Sequence, residues 1–208
     1  MAKIRGLIFD WDGVIVDSMP IIALGIQEAA TSYGADVSLD DVLDGYFQPR
    51  HAYYKSLGID ISDQEELNRR HFAAILKHRK PAPIFPEVAG VLKSLAKQNC
   101  KLAIASTAET AFIIEQLELF GLTDIFPATL ILGGEVAKED KLQSLVHEFG
   151  LMKSDVVYVG DLPSDINAAR SVGVLVAGIE RREQGRKRLA EFKPDYLFSS
   201  LEDLLKII

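Results

Sequence analysis

The chain has 208 residues, of which 48% are hydrophobic and 25% charged, and it carries a formal net charge of −7. This composition is typical of a folded globular protein and excludes a disordered chain, while the acidic balance argues against nucleic acid or an anionic membrane as a main partner. The single cysteine, Cys100, excludes an intramolecular disulfide and a cysteine-rich zinc site.

The start of the chain, up to Asp12, has only a short apolar run before acidic residues begin. Such a segment is typical neither of a signal peptide nor of a membrane span, so we expect a cytoplasmic protein without a membrane partner. The apolar run itself, residues 4–9, predicts a buried strand.

Five further apolar runs predict strands, and helical spacing fills most of the segments between them. These strands are predicted at 101–105, 129–132, 156–159, 174–179 and around 196–198. Helices are predicted at 111–120, 141–149 and 166–172, each followed by a glycine, with a closing helix at 201–208. This alternation predicts an α/β fold, a doubly wound, Rossmann-like parallel sheet with helices on both faces.

The stretch between the first two strands, residues 20–83, is too long for a single crossover connection. It shows helical patterns at 21–33 and 63–80 and no convincing strand, and its prolines near residue 81 suit a stiff return into the core. We therefore predict an inserted helical domain at 19–83, with a core formed by residues 1–18 and 84–208.

Polar side chains stand at or just after the ends of four predicted strands, where ligands bind in open parallel sheets. They are Asp10 and Asp12, Ser106 and Thr107, Lys138, and finally Asp161 and Asp165. Each residue alone fits a helix cap or a solvated loop position. Together they indicate a site, because carboxylates gathered in one crevice repel one another unless a cation joins them.

The chemistry of this set fits phosphoryl transfer. Carboxylates and water form a hard oxygen cage suited to Mg²⁺, and a carboxylate attacks phosphorus once cations and hydroxyl donors offset the phosphoryl charge. Asp10 and Asp12 are two residues apart and so lie on the same side of an extended chain. The second carboxyl of the pair can then protonate the departing alcohol.

These residues resemble the four successive motifs of the haloacid dehalogenase superfamily, in the expected order. The motifs are Asp10-Trp11-Asp12-Gly13-Val14, Ser106-Thr107, Lys138 and Gly160-Asp161-Leu162-Pro163-Ser164-Asp165. The resemblance covers nearly the whole chain, and the helical insert resembles the cap of the phosphoglycolate phosphatase and beta-phosphoglucomutase branch.

The resemblance implies a role for each catalytic residue. Asp10 would attack phosphorus and form an aspartyl-phosphate, and Asp12 would serve as general acid and base. Thr107, or Ser106, would hydrogen-bond a phosphoryl oxygen. Lys138 would offset charge on the nucleophile and the phosphate, although Lys141 is a nearby competitor for that role.

The resemblance also implies a magnesium site. Asp161 would hold Mg²⁺ together with Asp10 and the backbone carbonyl of Asp12, and Asp165 would be an accessory residue. Asp12 further disfavours dehalogenation, because dehalogenases that resemble this family lack the second motif aspartate and need no Mg²⁺.

Three functions follow, and we favour the first. It is a magnesium-dependent phosphatase that hydrolyses a small phosphorylated metabolite through an aspartyl-phosphate. The alternatives are a phosphomutase resembling beta-phosphoglucomutase and a non-catalytic binding protein, the latter disfavoured because no catalytic position is lost. A monomer is the default expectation, and a dimer stays open.

Two arginine-containing segments have competing interpretations. Arg50 follows the segment 45–49, where it either begins a helix or reads the substrate from a cap loop. The basic residues between Arg181 and Arg188 are interrupted by Glu183, which favours a solvated helix face over a nucleic-acid patch.

Overall fold

The computed structural model describes residues 4–46, 50–60, 62–78 and 82–208. The chain divides into two compact units, one formed by Met1–Asp17 with Ile84–Ile208 and the other by Ser18–Pro83. None of the described helices is long and apolar enough to cross a membrane.

The elements follow in chain order. The strands are β1 (Gly6–Phe9), β2 (Lys101–Ala105), β3 (Ile131–Leu132), β4 (Val156–Gly160), β5 (Leu175–Ile179) and β6 (Tyr196–Phe198). The α-helices are α1 (Met19–Ser32), α2 (Leu39–Gly45), α3 (Arg50–Ser56), α4 (Gln64–His78), α5 (Val88–Lys97), α6 (Thr110–Phe120), α7 (Lys138–Phe149), α8 (Pro163–Val172) and α9 (Glu183–Glu191). Short 3-10 helices span Thr123–Ile125, Ala128–Leu130, Lys153–Asp155 and Leu201–Lys206.

The larger unit contains one six-stranded sheet in the order β3-β2-β1-β4-β5-β6, with every neighbouring pair parallel. The direction of the strand order reverses beside β1, which confirms the predicted doubly wound sheet. Each strand begins within two residues of its predicted start. β1 and β4 are buried along their whole length, and this explains why the central strands are continuous apolar runs rather than alternating ones.

Helices cover the sheet. Ile8 of β1 and Tyr158 of β4 belong to one apolar cluster with Leu142 of α7 and Ile166 of α8. The helices α6, α7 and α8 end at the predicted glycines, each in the left-handed conformation. The closing segment Leu201–Lys206 forms a 3-10 helix instead of the predicted α-helix, and it packs on α5.

The smaller unit is helical in its described residues, with α1 and α4 packed against each other. Gly25 makes their close approach feasible, because a Cβ atom at that position would lie 2.7 Å from the Cα atom of Ile75. The predicted helix at 21–33 is α1 and the predicted helix at 63–80 is α4, whose predicted end lies outside the described residues. The segment 47–49 and Pro81 also lie outside them. The helices α2 and α3 were not predicted as such.

Candidate active site

The register of the two central strands brings two aspartates to one edge of the sheet. Phe9 of β1 pairs with Val159 of β4, and the amide of Asp10 donates a hydrogen bond of 2.9 Å to the Val159 carbonyl. Asp161 directly follows Gly160, the last residue of β4. Both carboxylates therefore stand at the carboxyl ends of the strands where the strand order reverses, which is the ligand-binding position of such sheets.

Three carboxylates meet at this edge. One oxygen atom from each of Asp10, Asp161 and Asp165 lies within 4.8 Å of the other two. Burial, followed by the neighbouring carboxylates of Asp165 and Asp10, raises the pKa of Asp161 well above its ordinary value. A set of three acidic oxygens at this spacing fits a hard divalent cation such as Mg²⁺, which would offset the repulsion between them.

Lys138 supplies the positive charge of the cluster. It is the first residue of α7, and its Nζ atom donates to Oδ2 of Asp10 at 2.7 Å and to Oδ1 of Asp165 at 2.5 Å. Burial alone would lower the pKa of Lys138, but the two carboxylates raise it well above its ordinary value. The ammonium group therefore stays charged and holds the two aspartates together.

Asp165 has protein partners on both of its oxygen atoms, and it is fully buried. Oδ2 accepts from the amide of Leu162 at 2.9 Å, while Oδ1 accepts from Lys138 and from the Tyr158 hydroxyl at 3.3 Å. Because protein donors already occupy both oxygen atoms, Asp165 is better suited to orient Lys138 than to coordinate a metal. The accessory role at a metal that was predicted for Asp165 stays a prediction.

Asp12 is half-buried and lies in the turn that follows Asp10. Gly13 continues this turn at φ +72, and a Cβ atom there would lie 2.0 Å from Oδ2 of Asp161. Only glycine fits this position, because the conformation is left-handed and the Asp161 carboxylate occupies the space of a side chain. The turn thus brings the backbone beside Asp12 against Asp161.

Ser106 and Thr107 follow β2, which is the strand next to β1. Ser106 is buried, and its Oγ atom accepts a hydrogen bond from the Ala108 amide at 3.2 Å, whereas Thr107 is exposed. The ammonium group of Lys141 donates to the carbonyl oxygens of Ser106 and Gly134, both at 2.6 Å. Of the two candidate lysines, Lys138 contacts the Asp10 carboxylate and Lys141 ties the loop after β2 to the loop after β3.

Two residues of this region were not predicted to belong to it. Tyr158 contacts Asp165, and its signal in the sequence is a single phenol inside the otherwise aliphatic strand β4. Arg181 was assigned to a solvated helix face, which is wrong, because α9 begins at Glu183 and the Arg181 side chain is 21% exposed. Its hydrogen bonds run to Glu87 and to the turn at Gly13.

Arg50 belongs to the smaller unit, where it begins α3. Its guanidinium group lies 4.4 Å from the centroid of the Phe72 ring, and its Nη1 atom donates to Oδ1 of Asn68 at 3.4 Å. The structure thus shows the helix start expected at Arg50, and the substrate contact proposed for it stays a prediction.

Comparisons with known proteins agree on one family. The model of the haloacid dehalogenase-like hydrolases matches residues 7–179. The phosphoglycolate phosphatase of Mannheimia succiniciproducens is 28% identical over 221 residues, which cover 96% of each chain. The pyrophosphatase PpaX of Halalkalibacterium halodurans is 27% identical over 211 residues, covering 99% of this chain and 97% of its own.

A solved structure shows the same fold. It is a haloacid dehalogenase-like protein of unknown function from Agrobacterium tumefaciens, with a TM-score of 0.80 and 22% identity, and the match covers 99% of this chain and 97% of the other. The family match includes β1 from its second residue, the strands β2 to β5, and all the residues of the carboxylate cluster. The chain belongs to the haloacid dehalogenase-like hydrolase family.

Proposed function

We propose that this hydrolase is a magnesium-dependent phosphatase that cleaves a small phosphorylated metabolite through an aspartyl-phosphate. The observation that carries the proposal is the contact of 2.7 Å between Lys138 and Asp10 within a cluster of three carboxylates. An ammonium group on the nucleophile and room for a cation beside it are what attack on an anionic phosphoryl group requires. In this proposal residues 1–18 and 84–208 form the catalytic core, and residues 19–83 form a cap that selects the substrate.

The reaction follows from the two aspartates of the first turn. The Asp10 carboxylate attacks phosphorus, the bond from phosphorus to the substrate oxygen breaks, and Asp12 gives its proton to the departing alcohol. Asp12 then takes a proton from water as that water attacks the phosphorus of the aspartyl-phosphate. Inorganic phosphate leaves and the Asp10 carboxylate is restored.

Different polar residues would bind the cation and the phosphoryl group. Asp10 and Asp161 would hold Mg²⁺ together with the Asp12 carbonyl, and the cation would supply charge neutralisation on the phosphoryl oxygens. Thr107 is the exposed hydroxyl at the end of β2, so it is better placed than the buried Ser106 to contact a phosphoryl oxygen.

The names of the relatives suggest which substrates to test first. Relatives that cover nearly the whole chain are called phosphoglycolate phosphatase or pyrophosphatase. Both names describe small, strongly anionic phosphate compounds. We therefore propose a small anionic phosphate ester as the substrate, with 2-phosphoglycolate as the first compound of a panel that includes pyrophosphate and glucose 1-phosphate.

The test is release of phosphate from p-nitrophenyl phosphate with and without Mg²⁺. We expect activity only with the cation, and we expect Asp10→Asn to lose it by a factor of 10³ or more, on the order of what loss of a catalytic nucleophile costs. Asp155→Asn is the matched control, because Asp155 precedes β4 and lies at the opposite edge of the same sheet. This control should keep the activity of the parent enzyme.

Two outcomes would contradict the proposal. Normal turnover by Asp10→Asn would remove the aspartyl-phosphate mechanism. Isomerisation of glucose 1-phosphate faster than release of phosphate from it would instead establish the phosphomutase alternative, in which a sugar hydroxyl takes the place of water.

A further inference from the structure

Arg181 makes an unusual set of contacts for a residue in a basic surface segment. It follows β5 by two residues, and its Nη1 atom donates to the Gly13 carbonyl at 3.1 Å while Nη2 lies 3.5 Å from the Val14 carbonyl. Nε and Nη2 also donate to Oε1 of Glu87, at 3.2 and 2.6 Å. The guanidinium carbon lies over the Phe85 ring, 3.3 Å from its centroid.

The two carbonyls that Arg181 reaches belong to the turn that carries Asp12. This turn is closed by a hydrogen bond of 3.0 Å from the Gly13 amide to the Val16 carbonyl and by one of 3.1 Å from the Val16 amide to the Trp11 carbonyl. The same turn leaves no space between Gly13 and the Asp161 carboxylate. A small rotation of the Gly13 peptide would therefore displace the Asp12 backbone beside the reacting groups.

The chemistry of the side chain matches this task. A guanidinium group presents donors in a rigid plane, so one arginine can reach two carbonyls and a carboxylate at once and stack on an aromatic ring. A lysine at position 181 would offer one point charge and would lose most of these contacts. The Glu87 side chain is only 15% exposed, and its carboxylate holds the guanidinium group through Nε and Nη2.

We propose that Arg181 is a positioning residue for Asp12. It fixes the backbone of the turn so that the Asp12 carboxyl stays aligned with the oxygen of the leaving group. The inference rests on the function proposed above, in which Asp12 is the general acid, and it adds a residue outside the catalytic motifs to that step.

The consequence of losing this alignment depends on the leaving group. A nitrophenolate departs as a stable anion and gains little from a proton, whereas a phenolate gains more because it is more basic. Misplacing a general acid should therefore slow the hydrolysis of phenyl phosphate more than that of p-nitrophenyl phosphate. Loose folding or weaker phosphate binding would slow both nearly equally, since the two substrates have almost the same shape.

The experiment measures kcat/KM of Arg181→Gln for these two substrates in saturating Mg²⁺, because kcat/KM reports the departure of the leaving group and not the later hydrolysis of the aspartyl-phosphate, which both substrates share. We expect kcat/KM for phenyl phosphate to fall roughly 10-fold or more, and kcat/KM for p-nitrophenyl phosphate to fall less than about threefold. Arg181→Lys should resemble Arg181→Gln. The matched control is Arg182→Gln, because Arg182 is the more exposed neighbour and pairs only loosely with Glu180, at 3.5 Å. This control should leave the ratio of the two rates unchanged.

Equal losses on both substrates, or no loss on either, would overturn the inference. If Arg181→Gln fails to fold, Glu87→Gln carries the same test, since it removes the partner of the guanidinium group and should shift the ratio in the same direction. Asp12→Asn separates this inference from the proposed function. A selective loss there and an equal loss in Arg181→Gln would reject the inference alone, whereas an equal loss in Asp12→Asn would reject the acid role of Asp12 itself.

Discussion

At the scale of single residues, two lysines three positions apart do different work. Lys138 bridges two carboxylates, and Lys141 donates to two backbone carbonyls. Burial and the neighbouring Lys138 lower the pKa of Lys141, whereas the two aspartates raise that of Lys138. Lys138 therefore offsets negative charge at the reacting groups, whereas Lys141 holds the loops after β2 and β3 together.

The same substitution at both positions separates these roles. We expect Lys138→Met to lower kcat by a factor of about 10² or more, because the charge on the attacked phosphoryl group is no longer offset. Lys141→Met should keep kcat within about 10-fold and lower the free energy of unfolding by about 1–3 kcal/mol, because the buried carbonyl of Ser106 and the partly buried carbonyl of Gly134 lose their donor. Phosphate release and urea unfolding measure the two quantities. A larger loss of kcat in Lys141→Met than in Lys138→Met would reverse the assignment.

The sequence indicated most of the reacting residues but few of their partners. Asp10, Asp161 and Lys138 were predicted because strand ends of a parallel sheet meet at one edge. The choice between Lys138 and Lys141 depends on where α7 begins, and the sequence pattern placed that start three residues too late. The contact of Arg181 with Gly13 joins residues 168 positions apart, so no local pattern could indicate it.

At the scale of the elements, the helices α3 and α4 of the smaller unit share a buried polar contact. The Tyr54 hydroxyl lies 3.0 Å from Nδ1 of His71, and the His71 side chain on α4 is only 3% exposed. Burial, with a smaller contribution from Arg50, lowers the pKa of His71 from 6.5 to about 4. The folded protein therefore holds this histidine neutral at a pH where the unfolded chain protonates it.

This difference makes stability depend on pH in a defined direction. Because the unfolded state binds the extra proton, the contribution of His71 is complete above pH 6.5 and is lost as the pH falls towards 4. The loss amounts to about 3 kcal/mol over this window. Urea unfolding at several pH values should show a flatter pH dependence for His71→Gln than for the parent. The exposed His51→Gln should retain the parent slope, and an unchanged slope in His71→Gln would contradict the assignment.

Sequence patterns predicted the long elements better than the short ones. The central strands were found because burial on both faces makes them continuous apolar runs, and α6 was found because its apolar spacing ends at Gly121. The helices α2 and α3 have seven residues each, which is too short to show a clear helical periodicity of apolar residues. The final segment Leu201–Lys206 has helical spacing but ends after two turns of 3-10 helix.

At the scale of the whole molecule, the fold places three carboxylates so close together that their repulsion reduces its stability. The doubly wound topology places the ends of β1 and β4 side by side, so three carboxylates must share one crevice. Burial first, and then the charges of Asp165 and Asp10, raise the pKa of Asp161, so repulsion among the carboxylates accounts for part of the shift. Functional clusters of this kind commonly reduce stability, and a bound cation restores it.

The stability of the protein should therefore respond to Mg²⁺. A cation that binds only the folded state at 100 times its dissociation constant adds about 2.7 kcal/mol, which corresponds to a rise in Tm of roughly 5–10 °C for a chain of this length. We expect this rise when Mg²⁺ is added to the protein after dialysis against EDTA, measured by thermal unfolding. The physical reason is that Mg²⁺ removes the repulsion among Asp10, Asp161 and Asp165.

One substitution in the cluster tests that reason directly. Asp161→Asn replaces the carboxyl group whose charged form is disfavoured by burial and by its acidic neighbours, so its Tm without Mg²⁺ should exceed that of the parent, while the rise caused by Mg²⁺ should disappear. Asp155→Asn, at the opposite edge of the sheet, should show the parent Tm and the full response. If the parent responds to Mg²⁺ and Asp161→Asn responds equally, the cation binds elsewhere, and the repulsion among the three aspartates is relieved by Lys138 alone.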